Sequence, residues 1–308
     1  MTPPTLESAR VSTQAVVATM ARERRQVAAD LVALTKPRVV LMVLVTTLVG
    51  FHLGSAGRSD YVRLLHTLLG TAFAAAGTLA LNQFLEREVD GRMTRTRGRP
   101  LPDGRLAAGE ALVFGALTTA AGLAYLALAV GSGPALVTGA TAVLYLFAYT
   151  PLKLVTPLAM VIGAVPGALP PVSGWVAAQG RLGPGAAILF SILFLWQLPH
   201  TLAIARLYRD DYARAGIRVL PVVDPDGRST ERQIVAGCLA LLAAGLLPTL
   251  AGLAGPVYFF GALALGAVFL ACGMAQALAP SPAAARRLLL ASVAYLPLLL
   301  VLMALDKV

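Results

Sequence analysis

Long apolar runs alternate along this chain with short polar connections. A helix needs about 20 mainly apolar residues to cross the hydrocarbon core of a bilayer. Nine stretches reach that length, at about 38–56, 64–83, 108–130, 133–151, 157–178, 184–205, 233–252, 255–278 and 288–305. The fifth is interrupted by Pro166, Pro170 and Pro171, an interruption that neighbouring helices can absorb by re-satisfying the freed backbone groups. The pattern predicts an all-α, polytopic membrane protein with nine transmembrane helices.

Composition agrees. Of 308 residues, 57% are hydrophobic and 13% charged, against about 25% charged in a soluble domain. Cys238 and Cys272 both lie in apolar runs, so they supply neither a disulfide framework nor a metal cluster. The net charge of +10 would suit a nucleic-acid partner, but the location of the charges excludes one. Of the 25 Lys and Arg, only Arg58, Arg63, Arg181 and Lys307 fall on the side opposite the N-terminus. That asymmetry is the positive-inside signature. It predicts a cytoplasmic N-terminus and an outside C-terminus, in a prokaryotic cytoplasmic membrane. Residues 1–33 read as a flexible cytoplasmic tail and 34–308 as the transmembrane domain. The tail lacks the apolar stretch and small-residue cleavage site of a signal peptide, and Glu7, Glu23 and Asp30 argue against a mitochondrial transit peptide.

Two loops, four helices apart on the basic side, are long and carry acids as well as bases, hinting at a duplicated four-helix unit. In the first, Asn82, Glu86 and Asp90 recur every four residues, which on a helix lines them along one face. Two carboxylates and an amide are hard oxygen ligands suited to Mg²⁺, which completes its shell with water and substrate phosphates. Arg92, Arg95 and Arg99 follow and can fork onto diphosphate oxygens. The alternative is a solvated, salt-bridged helix end. The second loop offers Asp210 and Asp211 beyond Trp196-Gln197-Leu198-Pro199-His200. Two facing acidic clusters would clamp a diphosphate through Mg²⁺ and stabilise its departure, and an apolar cavity would shield the resulting allylic cation from water.

These residues resemble the heme O synthase branch of the UbiA-type intramembrane prenyltransferases. The first signature is matched by Asn82, Glu86, Asp90, Met93, Arg95, Thr96, Arg99 and Pro100. Further segments similar to the family are Leu34-Thr35-Lys36-Pro37-Arg38-Val39, Tyr149-Thr150-Pro151-Leu152-Lys153 and Pro170-Pro171 with Gly174-Trp175. Trp196-Gln197 with Pro199-His200, Asp211-Tyr212 with Ala215-Gly216, and Tyr295-Leu296-Pro297 complete the set. The resemblance covers about 34–300, in order. It implies nine helices around a central cavity, with both acidic motifs at its cytoplasmic mouth. It also implies farnesyl diphosphate as donor, Mg²⁺ as cofactor and a heme b vinyl group as acceptor, hydrated afterwards to give heme O. A heme A synthase or a terminal oxidase assembly would be the partner. The chain departs from the family in two places: Leu154 follows Lys153 where a second basic residue is usual, and Leu207 stands four before Asp211 where related enzymes carry Asp.

Remaining candidates keep two readings each. His200 is an iron ligand or polar contact for the acceptor, or it hydrogen-bonds a carbonyl freed by Pro199. Trp196 and Trp175 line the channel or mark a membrane boundary. Gln197 and Tyr149 are acceptor contacts by their motifs. Lys153 reaches the diphosphate or snorkels to headgroups, and Lys36 and Arg38 meet substrate carboxylates or lipid phosphates. Glu88 lies off the acidic stripe and is expected in solvent. Two other functions compete: a prenyltransferase with an aromatic, quinone-precursor acceptor, and a secondary transporter. A transporter would place ionisable groups near the bilayer midplane, whereas these acids gather at one face.

Overall fold

The computed structural model describes residues 25–57 and 60–308. The expectation for 1–24 lies outside the described residues. Nine helices are long and apolar enough to span a bilayer among those described. They are α1 (Pro37–Gly54), α2 (Tyr61–Gly91), α3 (Ala108–Ala129), α4 (Ser132–Leu152), α5 (Ala159–Gln179), α6 (Pro184–Leu207), α7 (Arg228–Leu250), α8 (Pro256–Leu278) and α9 (Pro282–Leu305). In lipid every backbone group must be satisfied within the protein, and the helix ends show how. Pro37, Pro184, Pro256 and Pro282 occupy first helical positions, where a missing N–H costs nothing. Asp60 accepts the Arg63 N–H at 2.9 Å, and Ser281 accepts that of Ala284 at 3.1 Å.

Leu128 is 89% and Leu278 85% exposed. Such side chains would be a liability in water and are unremarkable against acyl chains. Within the bundle, small residues bring backbones together, as in membrane helix pairs generally. A Cβ on Gly122 of α3 would lie 2.3 Å from the Ala74 nitrogen of α2, and one on Gly77 would lie 2.4 Å from the Thr119 nitrogen. The helices α1 and α5 interlock the same way: Gly50 sits on the Pro171 carbonyl and Gly174 on the Thr47 carbonyl. The main apolar core lies among α5 to α9, with Tyr258, Phe269 and Tyr295 buried in it. The ring closes where His52 of α1 meets the Ala304 carbonyl at 3.3 Å. There Lys307 donates to the carbonyls of His52 and Ser55, each at 2.6 Å.

Three features differ from the sequence pattern. The second helix runs on to Gly91, so the acidic stripe belongs to its last turns. The fifth span is two helical segments, Ala159–Ala168 and Pro170–Gln179, because Pro170 and Pro171 cannot donate to the preceding turn. Residues 25–34 are helical. Asp30, buried there, pairs with Arg105 at 3.2 Å, and Leu34 packs with Leu101, Leu106 and Ala111. This stretch is fastened over the α2–α3 loop.

Candidate active site

Because consecutive spans alternate direction, the start of α1, the ends of α2, α4 and α6 and the start of α5 share one end of the bundle. There they enclose a cavity of about 300 Å³, whose wall includes Lys36, Asn82, Glu86, Asp90, Arg95, Arg99, Tyr145, Tyr149, Lys153, Gln197, Tyr212 and Arg218. Asn82, Glu86 and Asp90 are all buried, and the four-residue spacing does place them on one face.

Each member of the stripe has a cation. Lys153 Nζ lies 2.5 Å from Glu86 Oε1, Arg99 Nη1 lies 2.5 Å from Asp90 Oδ2, and Lys36 Nζ donates to Asn82 Oδ1 at 3.2 Å. Asn82 Nδ2 donates to Glu86 Oε1 at 2.6 Å and to Thr150 Oγ1 at 3.1 Å. Burial and the nearby Arg99 guanidinium hold the Lys36 ammonium down at about 8, with Glu86 and Asp90 opposing the shift. The Lys36 backbone has φ 48°, the one non-glycine residue in the left-handed region among those described. Such strain persists where surrounding structure imposes it, and here it begins α1 with the ammonium aimed at Asn82.

On α4 the helix widens to a π-turn over Leu144–Tyr149, a local feature frequent at functional sites. Within it Tyr145 and Tyr149 stack with ring centroids 5.4 Å apart. Beyond them, Tyr145, Gly163 and Gln197 also line a second, largely apolar chamber of about 230 Å³ among α1, α2, α4 and α5. The arrangement suits an amphiphile with an anionic head: a mouth rich in cations and carboxylates shares a waist, walled by Tyr145, Gly163 and Gln197, with a largely apolar chamber.

The second acidic motif is placed differently from the first. Asp211 accepts the backbone N–H groups of Thr94 and Arg95 at 3.4 and 3.3 Å and pairs with Arg214. Burial raises its carboxyl, but those N–H groups, the Thr94 hydroxyl and Arg214 hold it below the usual carboxylate range. The two loops therefore do meet, with Asp211 as their clasp rather than as part of the cavity wall. Arg95 crosses the same junction, its guanidinium 5.0 Å from the Tyr208 ring centroid and 3.5 Å from the Tyr212 hydroxyl.

Arg38, Arg92 and Asp210 are exposed and lie off the cavity wall, as does Glu88, whose side chain is solvent-exposed beside Arg87. His200 and Trp196 stack at 4.6 Å and turn towards α9. Trp196 Nε1 donates to the Ser292 carbonyl at 2.8 Å, and His200 Nδ1 meets Ser292 Oγ at 2.7 Å. Ser292 Oγ also lies 2.6 Å from the Leu289 carbonyl. Its hydroxyl hydrogen goes to the Leu289 carbonyl or to His200 Nδ1 according to the ring tautomer. Trp175 is buried at the far end of the bundle, against Gly183 and Gly185. Sequence reasoning missed Tyr145, Thr150 and Arg218. Tyr145 was readable, standing one helical turn before Tyr149. Arg218 was not: it arrives through a turn whose backbone is tied by Arg218 N–H to the Lys153 carbonyl at 2.9 Å.

Comparison with known proteins matches residues 43–299 to the UbiA prenyltransferase family. A protoheme IX farnesyltransferase of Solibacter usitatus is 49% identical over 287 residues, 90% of this chain and 98% of that protein. Another, of Salinibacter ruber, is 42% identical over 277 residues, 90% of this chain and 98% of its own. Among solved structures, a digeranylgeranylglyceryl phosphate synthase shares the fold with TM-score 0.76 at 17% identity, covering 90% of this chain and 97% of its own. A UbiA homologue from Archaeoglobus fulgidus, bound to GPP and Mg²⁺, gives 0.63 at 17% identity, covering 89% and 99%. The chain belongs to the UbiA prenyltransferase family, in the branch of the protoheme IX farnesyltransferases.

Proposed function

We propose that this chain transfers farnesyl from farnesyl diphosphate to a vinyl group of heme b, with addition of water to give heme O and diphosphate. The observation that carries the reading is the cavity: paired cations and carboxylates line it, and Tyr145, Gly163 and Gln197 form its common wall with an apolar chamber. The curated relatives supply the acceptor, since their names specify protoheme IX.

The donor set fits a divalent cation. Asn82, Glu86 and Asp90 are oxygen donors on one helix face, each already facing a positive charge, so the site is built for cations and the anions they accompany. Mg²⁺, seen with GPP in the Archaeoglobus neighbour, suits one or two carboxylates completed by phosphate oxygens and water. Held there, it would neutralise charge developing on the departing diphosphate. Lys153, Arg95 and Arg99 would turn from their present partners towards phosphate oxygens, where Arg forks match the geometry. The apolar chamber would hold the farnesyl chain and keep water from the allylic cation. Asp211 supports the donor site by fixing the Thr94–Arg95 backbone, and a direct metal contact from it or Asp210 would require that clasp to open. On the acceptor side, Gln197 and Tyr149 line the cavity; His200, bonded to Ser292 and stacked on Trp196 outside that wall, would ligate iron only by turning away from α9. Lys36, now bonded to Asn82, would supply positive charge inside the cavity, and Arg38, exposed outside its wall, would meet heme propionates only at the membrane surface. With the mouth cytoplasmic and the C-terminus outside, as the distribution of Lys and Arg supports, donor would arrive from the cytoplasm. The farnesylated product would stay in lipid for a membrane enzyme such as heme A synthase, or for terminal oxidase assembly.

Incubation of purified protein with farnesyl diphosphate, Mg²⁺ and either heme b or an aromatic quinone precursor tests this. Extracted heme should gain one farnesyl and one hydroxyl, with the aromatic acceptor unchanged; prenylation of the aromatic compound alone would reassign the acceptor.

A further inference from the structure

Gln197 stands at the waist where the charged mouth and the apolar chamber meet. Its amide is fixed: Nε2 donates to the Ala164 carbonyl at 3.2 Å and to the Leu193 carbonyl at 3.1 Å. Two carbonyl partners require the NH₂ group there, so the orientation of the carboxamide follows from its hydrogen bonds. The opposite atom, Oε1, accepts no hydrogen bond among the described residues. It lies over Gly167, where a Cβ would come within 2.0 Å of it. Gly167 lines the largely apolar chamber, together with several threonines and Tyr145, so an anchored acceptor oxygen is presented at its edge. The backbone that would crowd it has no side chain. Tyr145, whose hydroxyl reaches Asn82 Oδ1 at a long 3.5 Å, lines the same waist. Gln197 is half-buried, and an oxygen without a protein donor that opens onto a cavity is a place for a water held between two or more polar groups.

We propose that Gln197 Oε1 holds the water that is added to the acceptor, making Gln197 the residue that decides between hydration and elimination. The inference rests on the heme reading above and concerns its last step. Farnesyl C1–O breaks with its electron pair leaving on diphosphate. The vinyl π pair forms the new C–C bond, and the positive charge moves to the vinyl carbon next to the pyrrole ring. The water oxygen then bonds to that carbon, and its proton passes to the departed diphosphate. Without a placed water, the same cation loses a neighbouring proton and gives an alkene lighter by one water.

The experiment is single-turnover reaction of purified Gln197→Met with heme b, farnesyl diphosphate and Mg²⁺, reading the mass of extracted heme. Methionine keeps the length and removes the acceptor. The expected result is slower but measurable prenyl transfer, with the dehydrated product rising from a trace to the majority. Gly167→Ala, which presses on Oε1 from the facing helix, should shift the ratio in the same direction as Gln197→Met. An unchanged ratio of hydrated to dehydrated heme in both Gln197→Met and Gly167→Ala would overturn the proposal. So would complete loss of prenyl transfer in folded Gln197→Met, which would move the residue to an earlier step. Absence of farnesylated heme from the unsubstituted protein would instead count against the heme reading itself.

Discussion

At the scale of single residues, the site is a set of charges that exist to be exchanged. Glu86 and Asp90 are buried with Lys153 and Arg99 as partners, and removing one member of a buried pair costs about 3–5 kcal/mol because the other is left uncompensated. Lys153→Met should therefore lower thermal stability as well as weaken donor binding. Arg95→Ala, by contrast, removes a guanidinium that rests on two tyrosine rings and has no buried counter-charge. It should raise the KM for farnesyl diphosphate by about tenfold, the scale of one hydrogen bond to a charged group, while leaving that for heme unchanged; equal changes in both would argue against a diphosphate contact. The stripe Asn82–Glu86–Asp90 was legible because helical periodicity alone puts such residues on one face. Which arginine turns inward was not, since Arg92, Arg95 and Arg99 lie beyond the helix, where no period applies. Asp211 shows the same limit: the sequence marks an acid near the site, and only the fold shows two backbone N–H groups waiting for it.

Between elements, two contacts decide whether the site assembles. The first is the clasp of Asp211 on the loop after α2. Asp211→Asn keeps the size but loses the charge, and should reduce turnover through a mobile 94–99 segment, visible as faster amide exchange there. Because the Asp211 carboxyl is held below its ordinary value, the clasp contributes fully above that value. It is lost only as pH falls through the lowered one, so the loop contact should be insensitive to pH near neutrality. The second is the glycine interlock of α2 with α3. Gly122→Val would force backbones apart at Ala74 and Gly70; overpacking of this kind costs about 1–3 kcal/mol, which a lowered thermal midpoint in detergent would show. Helix number and order could be read from apolar run length. Helix ends could not: α2 overruns its apolar stretch because its last turns pack against other protein rather than lipid, and hydropathy does not register that difference.

For the whole molecule, the orientation proposed from the distribution of Lys and Arg can be read by labelling. A cysteine introduced at Thr94 should react with a membrane-impermeant maleimide only in inverted vesicles, and one at Arg181 only in intact cells; the reverse pattern would place the mouth outside. The central claim is that the α2 stripe and its cations bind a prenyl diphosphate together with a divalent ion. Its most direct test is calorimetric titration of farnesyl diphosphate into the purified protein in lipid nanodiscs, with Mg²⁺ and with chelator, for the unsubstituted chain and Asp90→Asn. Binding should require Mg²⁺ and be lost in Asp90→Asn, although that variant inserts and folds. Binding of equal strength in chelator, or undiminished in Asp90→Asn, would contradict that claim.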